Sequence, residues 1–264
     1  MKISVIIPVY NTRNLISDAV YSALQFDEVY EVILIEDGSS DNSFDVCKNL
    51  SAHNSRVQFF YHENRKHMGS GISRNLGIQN ASGDYIAFLD PNYYYLPNRF
   101  NAEKKIFRQY DIDGVCGSIG IHYDCKKAKE KHFQVYRNHL IPGNKKCYPA
   151  TFTPDHSHHT HFFDQFSINA LTVRKDRLLE KMHHLFKPYP FQEDIEFSIR
   201  ISYYLNLYYG ILHKPVAMLK VREVDTVMIC TQNEEVVCEK SSHESLFLSW
   251  LHHLHTLKLL IDSK

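Results

Sequence analysis

Apolar positions in this chain follow two rhythms that alternate along its first hundred residues. In "ISVIIPV", residues 3–9, they run without interruption and are mostly β-branched, as in a central parallel strand covered on both faces. Next, "NTRNLISDAVYSALQ" places Leu15, Ile16, Ala19, Val20, Ala23 and Leu24 at helical spacing, and "EVILIEDGSSDNS" is a second buried strand ending in an acidic turn. That is a βαβ unit. A helix around 41–52, a strand at "VQFFYH", a glycine-interrupted helix from about 69 to 81 and the strand "YIAFLD" continue the alternation. The expected fold is a doubly wound α/β sheet with a Rossmann-like first half, residues 1–112, whose ligands belong at the carboxyl ends of its strands.

After Asp113 the rhythm changes. "GVCGSIGIHY" and "INALTVR" predict strands, residues 127–163 form a long irregular stretch, and "QEDIEFSIRISYYLNLYYG" returns to helix. Long loops inside an ordered domain are often binding loops or lids, which makes 113–240 the expected acceptor-side half. From about Ser241 the tail sets Leu246, Trp250, Leu251, Leu254, Leu257 and Ile261 on one side of a C-terminal amphipathic helix, residues 241–264. Its expected use is a core or homo-oligomer contact, with peripheral attachment to a membrane as the alternative.

Composition narrows the setting. With 264 residues and 44% apolar content the chain can bury a sizeable core, and 30 basic against 30 acidic residues give no reason to expect nucleic acid as a partner. The six cysteines are scattered, without the close pairs of a zinc site, so free thiols in a reducing cytoplasm are expected. Pro8 and Asn11 interrupt the N-terminal apolar stretch, which reads as a strand and not as a signal peptide. The expected location is the cytoplasm, with the inner face of the membrane as a peripheral option.

Three acidic positions lie where such a sheet places chemistry. Asp37 follows "VILI", Asp90 follows "YIAFL", and Glu193–Asp194 opens a helix, whose N-terminus favours an ionised carboxylate. Each also has a plain structural reading, a turn for Asp37-Gly38-Ser39-Ser40 and a helix-start acid for Asp194. The loop "DHSHHTHFF" gathers His156, His158, His159 and His161, either a solvated polar loop or a chelating face. Tyr93, Tyr94 and Tyr95, with Tyr203, Tyr204, Tyr208 and Tyr209, suit either stacking on sugars or packing with the hydroxyl at the surface.

Taken together and in order, "VIIPVYN", "IEDGSSDNS", "GSGISRNLGIQNASGDYIAFLD" and "QEDIEFSIR" resemble the inverting, nucleotide-sugar-dependent glycosyltransferases of family 2, which have the GT-A fold. The resemblance runs from residue 2 to about 110 and resumes near 168–205. It implies that Pro8, Val9 and Tyr10 line a uracil and ribose pocket and that Asp37 accepts from the base. It also implies that Gly69, Arg74 and Asn75 match the family's glycine and Ala-Arg-Asn segment. Arg74 then binds base or diphosphate, with a surface ion pair to an acid such as Glu63 as the alternative. The family's Asp-x-Asp, in which the first acid contacts ribose and the last holds Mn²⁺ or Mg²⁺, is Asp90-Pro91-Asn92 in this chain. An amide carries no formal charge, so Asp90 and Asn92 imply a weak cation site, one where cationic side chains replace the metal, or a site that has lost donor binding. A further family ligand, the histidine of Tyr-Arg-x-His, is replaced in "LKVREVDT" by Val224 after Arg222.

What the resemblance implies for chemistry is transfer from a UDP-sugar to a saccharide or lipid-linked glycan acceptor, with Asp194 as the base and Glu193 positioning the acceptor or capping the helix. A non-enzymatic GT-A domain that binds carbohydrate or a partner is the alternative.

Overall fold

The computed structural model describes residues 1–135, 166–188 and 193–222. The histidine loop at 156–161, Val224 and the tail helix lie outside these residues.

A seven-stranded mixed sheet runs through the molecule in the order β3-β2-β1-β4-β8-β6-β9. β1 (Ile3–Val9), β2 (Val29–Glu36), β3 (Val57–Tyr61) and β4 (Tyr85–Phe88) are parallel, joined by α1 (Ile16–Leu24), α2 (Ser43–His53) and α3 (Ser70–Asn80). Every residue of β1 is buried, as its unbroken apolar run predicts. Its side chains alternate between two cores. Ile3, Val5, Ile7 and Val9 pack with Ile16, Val20 and Ala23 of α1, while Ile6 faces Ile33, Ile78 and Phe88 on the opposite side. Because the chain proceeds from β1 to β2 and β3 on one side and then returns to β4 on the other, the switch point lies at β1 and β4. Their carboxyl ends open the crevice that carries Asp37 and Asp90.

Of the two glycines inside α3, Gly77 is explained by contact. A Cβ at Gly77 would collide with Ile6 Cγ2, so only hydrogen lets this helix settle onto β1. Gly77→Ala is expected to cost about 1–3 kcal/mol by overpacking, read as a lowered denaturant midpoint at unchanged m-value.

Beyond α4 (Asn101–Gln109) the sheet is completed antiparallel. β8 (Leu171–Arg174) pairs with β4 on one side and with β6 (Gly114–Cys116) on the other, and β9 (Leu207–Tyr209) adds parallel to β6. A second sheet, β5-β10-β7, sets β5 (Tyr93–Tyr95) antiparallel to β10 (Ala217–Val221) and β7 (Ile119–Tyr123) parallel to it. α6 (Lys175–Lys181) follows β8, and α7 (Glu193–Tyr204) packs beneath the main sheet through Phe197, which stacks on Phe186 at 3.9 Å.

Four expectations are corrected. "GVCGSIGIHY" supplies two strands that belong to different sheets. The supposedly irregular stretch begins with a helix, α5 (Lys126–Val135), built from strong helix formers whose apolar period is faint. Tyr208 and Tyr209 sit on β9, not on the helix, and Tyr93–Tyr95 form β5. In "INALTVR" only the last four residues are strand, since Ile168–Ala170 make a 3-10 turn. Among the described residues no helix is long and apolar enough to cross a membrane.

A buried polar strut supports the turn after β4. Arg99, fully buried, pairs with Glu103 one helical turn on, donates to Leu171 O at 2.9 Å and lies over the Tyr95 ring. Tyr95 in turn donates to Phe88 O at 2.8 Å, and burial pushes its phenol up to about 12. Burial also raises the Glu103 carboxyl, against the lowering influence of Arg99. The strut ties β5, α4 and β8 to the last residue of β4, two positions before Asp90.

Candidate active site

Asp90 leaves the end of β4 with both carboxylate oxygens engaged. Arg74 Nη2 donates to Oδ1 at 2.7 Å and Asn169 Nδ2 donates to Oδ2 at 3.0 Å, while the Asp90 N–H donates to Asn169 Oδ1 at 2.7 Å. The same guanidinium reaches α7. Arg74 Nη1 donates to Glu193 Oε1 at 2.8 Å, and the Ser70 hydroxyl donates to that oxygen as well. One arginine on α3 therefore joins the acid at a strand end to the acid at a helix start, although 119 residues separate Arg74 from Glu193.

This guanidinium is almost fully buried, with 4% of its side chain exposed. Burial alone pushes it down, but the Asp90 and Glu193 carboxylates outweigh burial and leave its pKa raised. Arg74 is thus a permanent cation between two carboxyl groups, not a surface partner of Glu63.

Asp37 joins at the start of α3. The main-chain N–H groups of Met68 and Gly69 donate to its Oδ1 and Oδ2 at 2.6 and 2.9 Å, which satisfies donors that a helix start leaves open. Gly69 is the N-cap residue and sits at φ +90°, a conformation that costs glycine nothing and any other residue strain. From there to Arg74 is about one and a half helical turns, or roughly 7.5 Å along the axis. Asp37, Asp90 and Glu193 are held by one helix.

The remaining predicted residues divide. Pro8 and Val9 are buried in β1, Val9 inside the core, so Val9 presents no side chain to the crevice and its carbonyl accepts from the Asp37 N–H at 2.8 Å. Tyr10 is 44% exposed and stacks on His67 with ring centres 4.0 Å apart. Asn75 is committed to the main chain of Phe186, donating to its oxygen at 2.7 Å and accepting from its N–H at 2.9 Å. That clamp holds the approach to α7 against α3. Asn92, half-buried, receives Lys220 N–H on its main-chain oxygen at 2.7 Å and so ties the turn to β10. Asp194 lies in the first turn of α7, half-buried, and projects about 100° around the helix from Glu193.

Three residues in this cluster escaped sequence reasoning. Asn169 holds Asp90 from β8's side; its signal was masked because "INA" reads as the start of a strand. His67 and His62 flank Asp37, at 2.9 Å from Oδ2 and 3.6 Å from Oδ1. Nothing in their spacing points to that carboxylate. Among the described residues no three His, Cys, Asp or Glu side chains are grouped to hold a metal ion.

Residues 4–172 match the family described as glycosyl transferase family 2. The chain belongs to that family. Family 2 relatives include an uncharacterized glycosyltransferase of Rickettsia conorii, 38% identical over 149 residues that cover 54% of this chain and 22% of that protein. Another is the glycosyltransferase GlyG of Streptococcus pneumoniae, 32% identical over 123 residues, 46% of this chain and 40% of that one. The chain therefore spans less than half the length of these curated relatives. Among solved structures, S. aureus TarS 1-349 in complex with UDP-GlcNAc superposes with a TM-score of 0.63 at 19% identity, covering 84% of this chain and 59% of that one. TarS 1-349 in complex with UDP gives 0.60 at 17% identity, covering 84% and 61%. At that identity the likeness establishes the GT-A fold.

Proposed function

We propose that the protein transfers a sugar from a UDP-sugar to a saccharide or lipid-linked glycan acceptor, with inversion at the anomeric carbon. The observation that carries this reading is the convergence of Asp90 and Glu193 on Arg74 at the mouth of the β1–β4 switch point. Uridine as the nucleoside is supported by the fold-level likeness to TarS, which has been captured with UDP and with UDP-GlcNAc.

Inversion is a single displacement, so one base has to take the acceptor's proton as its oxygen attacks opposite the departing diphosphate. Glu193 is anchored by Arg74 and Ser70, and the resemblance assigns that proton to Asp194 in the first turn of α7. Asp90, fixed at both oxygens, is a preoriented acceptor for the donor's ribose hydroxyls, and Asp37 is the acceptor for the base N–H. Arg74 holds these acids in place instead of meeting the phosphates directly.

The donor set fits a loosely held divalent cation. Asp90 and Asn92 offer hard oxygen donors, the usual partners of Mg²⁺ or Mn²⁺ when phosphates complete the shell. When bound, such an ion neutralises charge on the leaving nucleoside diphosphate. Calorimetric titration of UDP is expected to show binding that Mn²⁺ strengthens, and Asn92→Asp is expected to tighten Mn²⁺ binding about tenfold or more. Absence of UDP binding with and without Mn²⁺ would remove the nucleotide reading; a variant indifferent to Mn²⁺ would remove Asn92 as a ligand.

A further inference from the structure

We propose that His67 occupies the seat of the donor's base in the unliganded protein, so that its withdrawal sets donor affinity. This rests on the nucleotide reading above.

A pyrimidine base makes two demands on a pocket: an aromatic or flat face to stack on, and an acceptor for its ring N–H. In this crevice the stacking face belongs to Tyr10 and the acceptor to Asp37, and both are taken by the same side chain. The His67 imidazole lies on the Tyr10 ring at 4.0 Å with 24° between the planes, and its Nδ1 is 2.9 Å from Asp37 Oδ2. A flat heterocycle thus presents a ring nitrogen to a carboxylate that is itself 2% exposed, while its own side chain is 51% exposed. The histidine imitates the ligand from within the chain.

Its departure costs the site little architecture. Asp37 stays in place without it, because Met68 and Gly69 N–H groups hold both carboxylate oxygens. The turn that carries His67 is pinned separately, through His62 Nε2 on the Ser73 hydroxyl at 2.9 Å and through Arg65 over the Phe44 ring at 4.1 Å. Rotation of one half-exposed side chain, a motion of picoseconds to nanoseconds, is enough to vacate the seat. The same turn holds Asn64 and Arg65 consecutively at φ 55° and 51°, left-handed backbone that non-glycine residues adopt at a cost. That geometry fixes where the imidazole begins, directly above Asp37.

A ligand that must first displace an internal competitor binds with an affinity reduced by the fraction of vacant sites. His67→Ala in the full chain is therefore expected to bind UDP roughly tenfold more tightly than the wild type by calorimetry, corresponding to a vacant fraction of about a tenth. His67→Gln, which keeps a donor for Asp37 but removes the stacking ring, is expected to fall between the two. Wild-type protein saturated with UDP is expected to show the His67 ring protons moving from positions shifted by the Tyr10 ring current to those of a free imidazole. Equal or weaker UDP binding by His67→Ala, or His67 resonances that stay in place at saturation, would overturn the inference while leaving the nucleotide reading intact. Failure of both the wild type and the variant to bind UDP would overturn the two together.

Discussion

Asp194→Asn is expected to lower sugar transfer by about 10²- to 10⁴-fold, the contribution of a positioned general base, while UDP affinity stays within a few fold. The amide has the size of the carboxylate and leaves α7 undisturbed, but it cannot accept the acceptor's proton. Transfer is read as UDP release from a UDP-sugar in the presence of acceptor, and affinity by calorimetry with UDP alone. The division of labour between neighbours gives the experiment its contrast. Glu193 is committed to Arg74 and Ser70, so Glu193→Gln is a change in the scaffold and is expected to show itself first in thermal stability. Turnover unchanged in Asp194→Asn would take the proton-transfer role away from that residue.

The second large effect belongs to Arg74. Replacement by alanine leaves Asp90 and Glu193 facing each other across a buried gap with no cation between them, and breaking a buried pair in this way costs about 3–5 kcal/mol. For a chain of this size that corresponds to a melting temperature lowered by about 6–20 °C. Arg74→Lys is expected to recover part of the loss, since one ammonium replaces the charge but not the fork that reaches two carboxylates at once. UDP affinity is expected to fall in both variants, because Asp90 loses the contact that fixes its first oxygen. A melting temperature within about 2 °C of the wild type in Arg74→Ala would mean that the pair contributes little.

Much of this arrangement was legible in the residues themselves. β1 to β4 and the helices between them follow from uninterrupted β-branched runs and from apolar positions three and four apart, and both strand-end acids sit where the alternation puts them. The parts that were not legible share a physical cause. α4 hides because one of its buried positions is Glu103, paired with Arg99, so that a core-facing helix reads as polar. α5 hides because lysines dominate its surface, and β5 because three consecutive tyrosines look like an aromatic patch rather than a strand. In the site, Asp37, Asp90 and Glu193 were named from position alone, but what joins them was not. The resemblance assigns Arg74 to base or diphosphate, whereas in the folded chain its guanidinium bridges two acids. Likewise the resemblance groups Asn75 with the nucleotide contacts, and its side chain bonds the main chain of Phe186. Partners that lie about eighty to more than a hundred residues apart, such as Asn169 on Asp90, leave no periodic trace in a single sequence.

β8 carries a consequence of its own. This four-residue strand is wedged between β4 and β6, antiparallel to both, although it comes from far down the chain. Were the polypeptide cut at residue 112, Tyr85–Phe88 would become a naked sheet margin, apolar and with its outward amides and carbonyls open to any passing strand. The stretch 1–112 is therefore not a detachable module. Swapping it between relatives means carrying the 171–174 strand along, or accepting a protein that sticks to itself.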